Sequence, residues 1–126
     1  MEEAYENPLK ILSFYSSIEK KLFDKNKVYD GLDVGIRYMS NKYNRINFDH
    51  VIASLVDKTT NPFIDFYSEL IEQQFKETGI KIVGIAITFQ DQIISAFTLA
   101  NLLRNKMPEV KIVMGGQMIT RCYNTM

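Results

Sequence analysis

Cysteine occurs once in the 126 residues, at Cys122. No disulfide can therefore close within the chain, and a reducing compartment is the natural setting. Histidine also occurs once, at His50. With so few thiol and imidazole groups, no cluster is present that could hold zinc or an iron–sulfur centre. Neither sign of charge prevails, since 15 lysines and arginines stand against 15 aspartates and glutamates. A chain so balanced has no global field to attract nucleic acid or an anionic membrane. No apolar run approaches the roughly 20 residues of a membrane span. The opening "MEEAYENPLK" is acidic and lacks the apolar stretch of a signal peptide. Together these absences point to a cytoplasmic chain with no nucleic acid and no membrane among its partners.

What is present is the composition of a folded domain. Apolar residues make up 46% and charged residues 24%, which argues against disorder. Eight phenylalanines and seven tyrosines fall mostly at helical core spacing, so packing is their default role. No internal repeat or low-complexity segment interrupts the sequence.

Two Asn-Pro steps, Asn7-Pro8 and Asn61-Pro62, each precede a helical pattern. Asparagine can accept a bond from an N–H of the first turn, and proline at the first helical position gives up only an N–H without a partner. After Pro8, Ile11, Leu12, Tyr15, Ile18, Leu22 and Phe23 recur at helical spacing. After Pro62, Phe63, Phe66, Tyr67, Leu70, Ile71, Gln74 and Phe75 do the same, and Gly79 supplies a stop. Between these patterns Leu32, Val34, Ile36 and Tyr38 alternate as in a short strand or an ordered extended segment, and Ser40 to Asn44 reads as loop. A short helix is expected over Asp49 to Asp57, capped by Asn47 and burying Val51, Ile52, Leu55 and Val56.

The last third is more regular. Ile82 to Ile87 is a nearly continuous apolar run, as in a parallel strand buried on both faces. "QDQIISAFTLANLLRNKMPE" follows as a helix with Ile93, Phe97, Ala100, Leu102 and Leu103 inward, ended by Pro108. Val110 to Met114 is a second strand. Strand, helix and strand form a βαβ unit, which forces the two strands parallel. The expected fold class is α/β, a partial Rossmann-like parallel sheet over residues 61–126, with a helical region over residues 1–60 packed on it.

In open α/β sheets, ligands bind beyond the carboxyl ends of the strands. Two loops qualify here. One is Thr88-Phe89-Gln90-Asp91-Gln92, and the other begins at the glycine pair Gly115-Gly116. For the pair alone a simple turn is the favoured reading, and a floor for a ligand is the alternative. No dinucleotide fingerprint or P-loop accompanies it. Thr88, Gln90, Asp91 and Gln92 could face a ligand or cap the helix, and both roles stay open. His50 reads as a solvated or structural histidine, since no second histidine or serine nucleophile pattern goes with it. Cys122 reads as an unreactive thiol. On residues alone the chain is an α/β ligand-binding or docking module.

The block "KIVGIAITFQDQIISAFTLANLLRNKMPEVKIVMGGQMIT" (Lys81 to Thr120) resembles the N-terminal region of cobalamin-binding-domain radical SAM proteins. That family shows Val-Gly-Ile-Ser, a polar loop, a leucine- and alanine-rich helix, Pro-x-Val-x-Ile-Val and Gly-Gly. The region before it is similar in a weaker way, especially to members that modify ribosomally made peptides. The resemblance implies a cobalamin site lined by Thr88, Gln90, Asp91, Gln92, Gly115 and Gly116, beside a radical SAM barrel. It implies S-adenosylmethionine and a 4Fe-4S cluster in the parent enzyme only, with a peptide or small-molecule substrate there.

This sequence departs from the family pattern in three places. Ala86 stands where a serine is frequent; no Asp-x-His-x-x-Gly motif supplies an axial histidine; and no Cys-x-x-x-Cys-x-x-Cys is present. The chain then reads as the front piece of a longer enzyme, itself without radical SAM chemistry. Two other classes stand beside this one: a cofactor-free interaction module that uses an exposed sheet edge or an aromatic helix face to bind a peptide or a second copy, as a homodimer through the unpaired edge, and a nucleotide-binding fragment of a transferase.

Overall fold

The computed structural model describes residues 29–34 and 39–122. The helical pattern after Pro8 lies outside the described residues, as do Ile36 and Tyr38. The elements run in the order β1 (Asp33–Val34), β2 (Met39–Ser40), α1 (Phe48–Ser54), α2 (Phe63–Leu70), β3 (Ile82–Ala86), α3 (Ile93–Lys106), β4 (Lys111–Gly115) and α4 (Gln117–Cys122). β1 and β2 form a two-rung antiparallel ladder that pairs Asp33 with Ser40 and Val34 with Met39. Ser40, expected in a loop, is therefore a strand residue.

α1 begins at Asn47, whose side chain accepts the His50 N–H at 3.2 Å. The cap is the expected one, but the helix stops at Ser54 rather than Asp57. Val51 and Ser54, one turn apart, form its buried side. Ile52 and Val56 were expected inside but are 47% and 78% exposed. The physical reason is that α1 packs on α3 along one narrow stripe, and Val56 falls in the turn beyond the helix end.

α2 starts one residue later than the Asn-Pro step places it, with Pro62 rather than Asn61 at the cap position, and Asn61 Oδ1 accepts the Phe63 N–H at 3.0 Å. It continues into a wide, π-type turn over Ile71–Phe75, closed by a bond from Lys76 N–H to the Ile71 carbonyl at 3.1 Å. The chain then leaves at Gly79, whose φ of 66° suits glycine. Ile64 and Ile71 are the buried residues of this stretch, whereas Phe66 is 59% exposed.

β3 and β4 pair in parallel, as the βαβ pattern requires, with Ile82 beside Lys111 and Ala86 beside Gly115. α3 crosses between them and ends at Lys106, just before Pro108. Its buried residues are Ile94, Ala96, Thr98 and Leu103, while Phe97, Ala100 and Leu102 are half-buried. The core has two neighbouring parts. Ile71, Leu103, Met107 and Val110 pack at the amino-terminal end of the sheet, and Ile85, Ile87 and Ala96 pack at the other. Ile71 and Leu103 are fully buried, and each such side chain contributes about 1.5–3 kcal/mol through removal from water.

The expectation that β3 is buried on both faces is corrected. Val83, Ile85 and Ile112 face the helices, but Ile82 is 63% and Val113 59% exposed, and Gly84 and Ala86 are exposed beside them. Both the crossover helix and the end of α2 lie on the same side of the two strands. Among the described residues nothing covers the other face. An apolar run reads alike whether one or both of its faces are covered, so the distinction depended on chain far away in sequence.

The centre also holds fully buried polar side chains, among them Ser54, Asn61 and Thr98. Asn61 Nδ2 donates to the Ser54 carbonyl and to Thr98 Oγ1, each at 2.9 Å. Thr98 Oγ1 in turn donates to the Ile94 carbonyl at 2.6 Å. One carboxamide thereby ties the ends of α1 and α2 to the middle of α3.

A second polar knot stands nearer the surface. The Asp57 carboxylate accepts bonds from the Thr59 hydroxyl at 2.6 Å, the Tyr43 hydroxyl at 2.7 Å and the Thr59 N–H at 3.1 Å. Lys42 Nζ pairs with it at 3.1 Å. The Thr59 hydroxyl first, then the Tyr43 hydroxyl and the Lys42 ammonium, hold the Asp57 carboxyl well below the usual carboxylate range. The same contacts raise Lys42 and Tyr43. A carboxyl depressed by folding adds stability above its unfolded value, near 3.9, and that stability is lost as pH falls below it. Urea unfolding from pH 4.5 down to pH 2 should therefore show a steep acid loss in the native chain and a shallower one in Asp57→Asn. Parallel acid limbs in the two chains would remove Asp57 as the source.

Candidate functional site

Because β3 and β4 are parallel, their carboxyl ends lie at one edge of the sheet, and the loops that follow run side by side. Backbone bonds lock them together: Ile87 N–H donates to the Gly115 carbonyl at 2.8 Å, and Met118 N–H donates to the Ile87 carbonyl at 3.0 Å. All six residues expected at a site fall in these two adjoining segments, but the structure uses them differently.

Gln92 turns back on its own loop. Its Oε1 accepts the N–H of Thr88 at 2.8 Å and that of Phe89 at 3.1 Å, closing the 3-10 turn (Gln90–Gln92) that leads into α3. Asp91 pairs with Arg45 at 3.0 Å, with both side chains about one-third exposed. That contact ties the loop before α1 to the start of α3. Thr88 and Gln90 are exposed at the edge.

The glycine pair splits into two different positions. Gly116 has a φ of 100°, and a Cβ there would lie 2.5 Å from the Ile87 carbonyl oxygen and 2.7 Å from the Ile87 nitrogen. What requires glycine at 116 is the close approach of one chain segment to another. Gly115 has no atom within 4 Å of the place where a Cβ would stand, and its strand partner Ala86 is exposed. The room at this edge therefore lies over Gly115 and Ala86.

Phe89, 67% exposed between Thr88 and Gln90, is the residue that loop composition could have flagged, as a large apolar group in a polar turn. Arg45 had no such signal, because its link to Asp91 joins segments far apart in sequence. His50 is away from these contacts. Its Nδ1 accepts the Asn44 N–H at 3.0 Å, and the Tyr43 ring meets it edge-on at 6.2 Å. Cys122 is half-buried at the end of α4.

Among the described residues, no group of three or more histidine, cysteine, aspartate or glutamate side chains could hold a metal ion, and no helix is long and apolar enough to cross a membrane. Comparison with protein-family models, with curated proteins and with solved structures found no match for this chain.

Proposed function

We propose that the chain is a Rossmann-like, cobalamin-binding-type module of a radical SAM enzyme, holding or once holding the corrin beside a catalytic barrel. The observation that carries this is the shared edge, where the loops after β3 and β4 meet with open space over Gly115 and Ala86. A flat, wide ligand needs such a floor with at most a methyl group standing on it, and polar groups at its rim. Gly115 and Ala86 supply the floor, and Thr88 and Gln90 the exposed rim. Gln92 and Asp91 support it indirectly, by closing the loop and anchoring it to Arg45. Bound cobalamin would supply methyl-group or radical transfer, with S-adenosylmethionine and the 4Fe-4S cluster belonging to the barrel. His50 is already committed to Asn44, so it is not assigned as an axial ligand.

The test is retention of hydroxocobalamin by the purified chain after free ligand is removed, read from the corrin absorption bands. The expected result is co-elution by the native chain and its loss in Gly115→Leu, whose side chain would stand on the open floor, with a Cβ that meets nothing within 4 Å. Equal retention by both chains, or none by the native chain, would count against the assignment.

The bare sheet face favours a second reading, a protein-interaction module docking through Ile82 and Val113. Two five-residue strands present only about 170 Å², well short of the roughly 800 Å² per partner of a stable interface. That reading needs surrounding surface as well, and a dimer on size-exclusion chromatography that dissociates in Val113→Lys would support it.

A further inference from the structure

The segment Asn41 to Asn47, which leads into α1, is built from short local bonds. Asn41 Oδ1 accepts the Tyr43 N–H at 2.8 Å, Asn44 Oδ1 accepts the Ile46 N–H at 3.0 Å, and the Asn44 carbonyl accepts the Asn47 N–H at 3.1 Å. A further bond fastens the same turn to a group that can change charge: Asn44 N–H donates to His50 Nδ1 at 3.0 Å. For that bond Nδ1 must carry its lone pair, so the ring must be neutral with its hydrogen on Nε2. Protonation puts a hydrogen on Nδ1 and sets two donors face to face.

Carboxylates, a phenol, an ammonium and a guanidinium surround the ring. Asp49 follows the helix cap, and Tyr43 lies edge-on with its hydroxyl bonded to Asp57, which Lys42 also pairs with. Arg45 is next to Asn44. Carboxylates change charge near pH 4 in water, and phenol, ammonium and guanidinium groups at about 10 or above. Imidazole is the side-chain type that ordinarily changes charge between those ranges, and the chain has one histidine, His50.

The turn also reaches the candidate site. Arg45 Nη1 stands 3.0 Å from Asp91 Oδ1, and Asp91 sits in the 3-10 turn that closes the loop after β3. We propose that His50 is a pH-operated latch. Neutral, it holds Asn44 in the turn that points Arg45 at Asp91; protonated, it releases the turn and loosens that pair at the ligand edge. The sign is fixed by the bond: the latch is closed at neutral pH and opens as pH falls. It does not depend on which ligand the edge holds.

Nuclear magnetic resonance of the full chain tests this directly. Between pH 7.5 and 5, the amide signals of Asn44 and Asp91 should both move, with the same midpoint as the His50 ring protons. His50→Gln offers a side-chain oxygen that accepts but does not titrate in this range, so both signals should hold still. Arg45→Met should keep the Asn44 response and abolish that of Asp91. A stationary Asp91 signal in the native chain overturns the proposal, since the ring then swings away without moving the loop. An Asp91 response that survives either substitution overturns it equally.

Discussion

Replacing Asn61 by alanine is expected to cost about 3 kcal/mol or more of folding stability, measured as the shift in urea unfolding followed by circular dichroism. The side chain is fully buried and makes three bonds. Loss of the Phe63 cap costs roughly 1 kcal/mol by itself. The two bonds from Nδ2, to Ser54 and Thr98, contribute about 1 kcal/mol each, and the emptied volume adds a cavity cost. Domains of this size are stable by about 5–15 kcal/mol, so the loss is a large share of the total. Asn61→Asp separates the two roles, because it keeps the oxygen that caps α2 but loses the donor and brings a carboxylate into the core. It should be at least as damaging as alanine. A change below about 1 kcal/mol for alanine would mean that the ends of α1 and α2 are held to α3 by apolar packing alone.

Asn61 also shows how far a sequence can be read. Its place before Pro62 marks a helix start, and the structure uses its oxygen in that way. Its amide nitrogen bonds to Thr98, and nothing local in either segment signals that pairing. The βαβ unit was legible for a different reason. Two apolar runs joined by a helical pattern leave one solution, because the crossover forces the strands parallel. Coverage of the sheet was not legible, since Ile82 and Ile85 are the same residue type and only the position of α2 and α3 exposes one and buries the other. α1 failed similarly: Ile52 and Val56 have the right spacing for a core stripe, but α3 meets only the side that carries Val51 and Ser54.

At the candidate site, topology was legible and side-chain roles were not. Parallel strands bring their carboxyl ends to one edge, which is why all six expected residues lie in adjoining segments. Within them, Gln92 spends its oxygen on the N–H groups of Thr88 and Phe89, and Asp91 meets Arg45. Polar residues in a loop look the same in sequence whether they serve the loop or a ligand. Thr88, Gln90 and Gly115 are the members whose placement suits a ligand directly.

The glycine pair supplies the sharpest test of that distinction. Gly116→Ala should lower stability by about 3 kcal/mol or more, because it combines two costs. A non-glycine residue at a φ of 100° carries strain of about 1–3 kcal/mol. Its Cβ would also meet the oxygen, nitrogen and carbon of Ile87 at 2.5, 2.7 and 2.9 Å. All three are backbone atoms whose strand holds them, since Ile87 bonds to Gly115 on one side and Met118 on the other. None can swing aside as a side chain would, so the last rung between β3 and β4 has to part. Gly79→Ala isolates the strain, since its φ is 66° and its Cβ would meet nothing within 4 Å. Gly115→Ala carries neither cost and should stay within about 1 kcal/mol of the native chain. The expected order of thermal unfolding is therefore Gly115→Ala highest, then Gly79→Ala, then Gly116→Ala well below both. If Gly116→Ala were no worse than Gly79→Ala, the contact with Ile87 would not be what requires glycine there. If the order holds in ligand-free protein, the fold alone accounts for glycine at 116, and evidence for a ligand must come from its neighbour at 115.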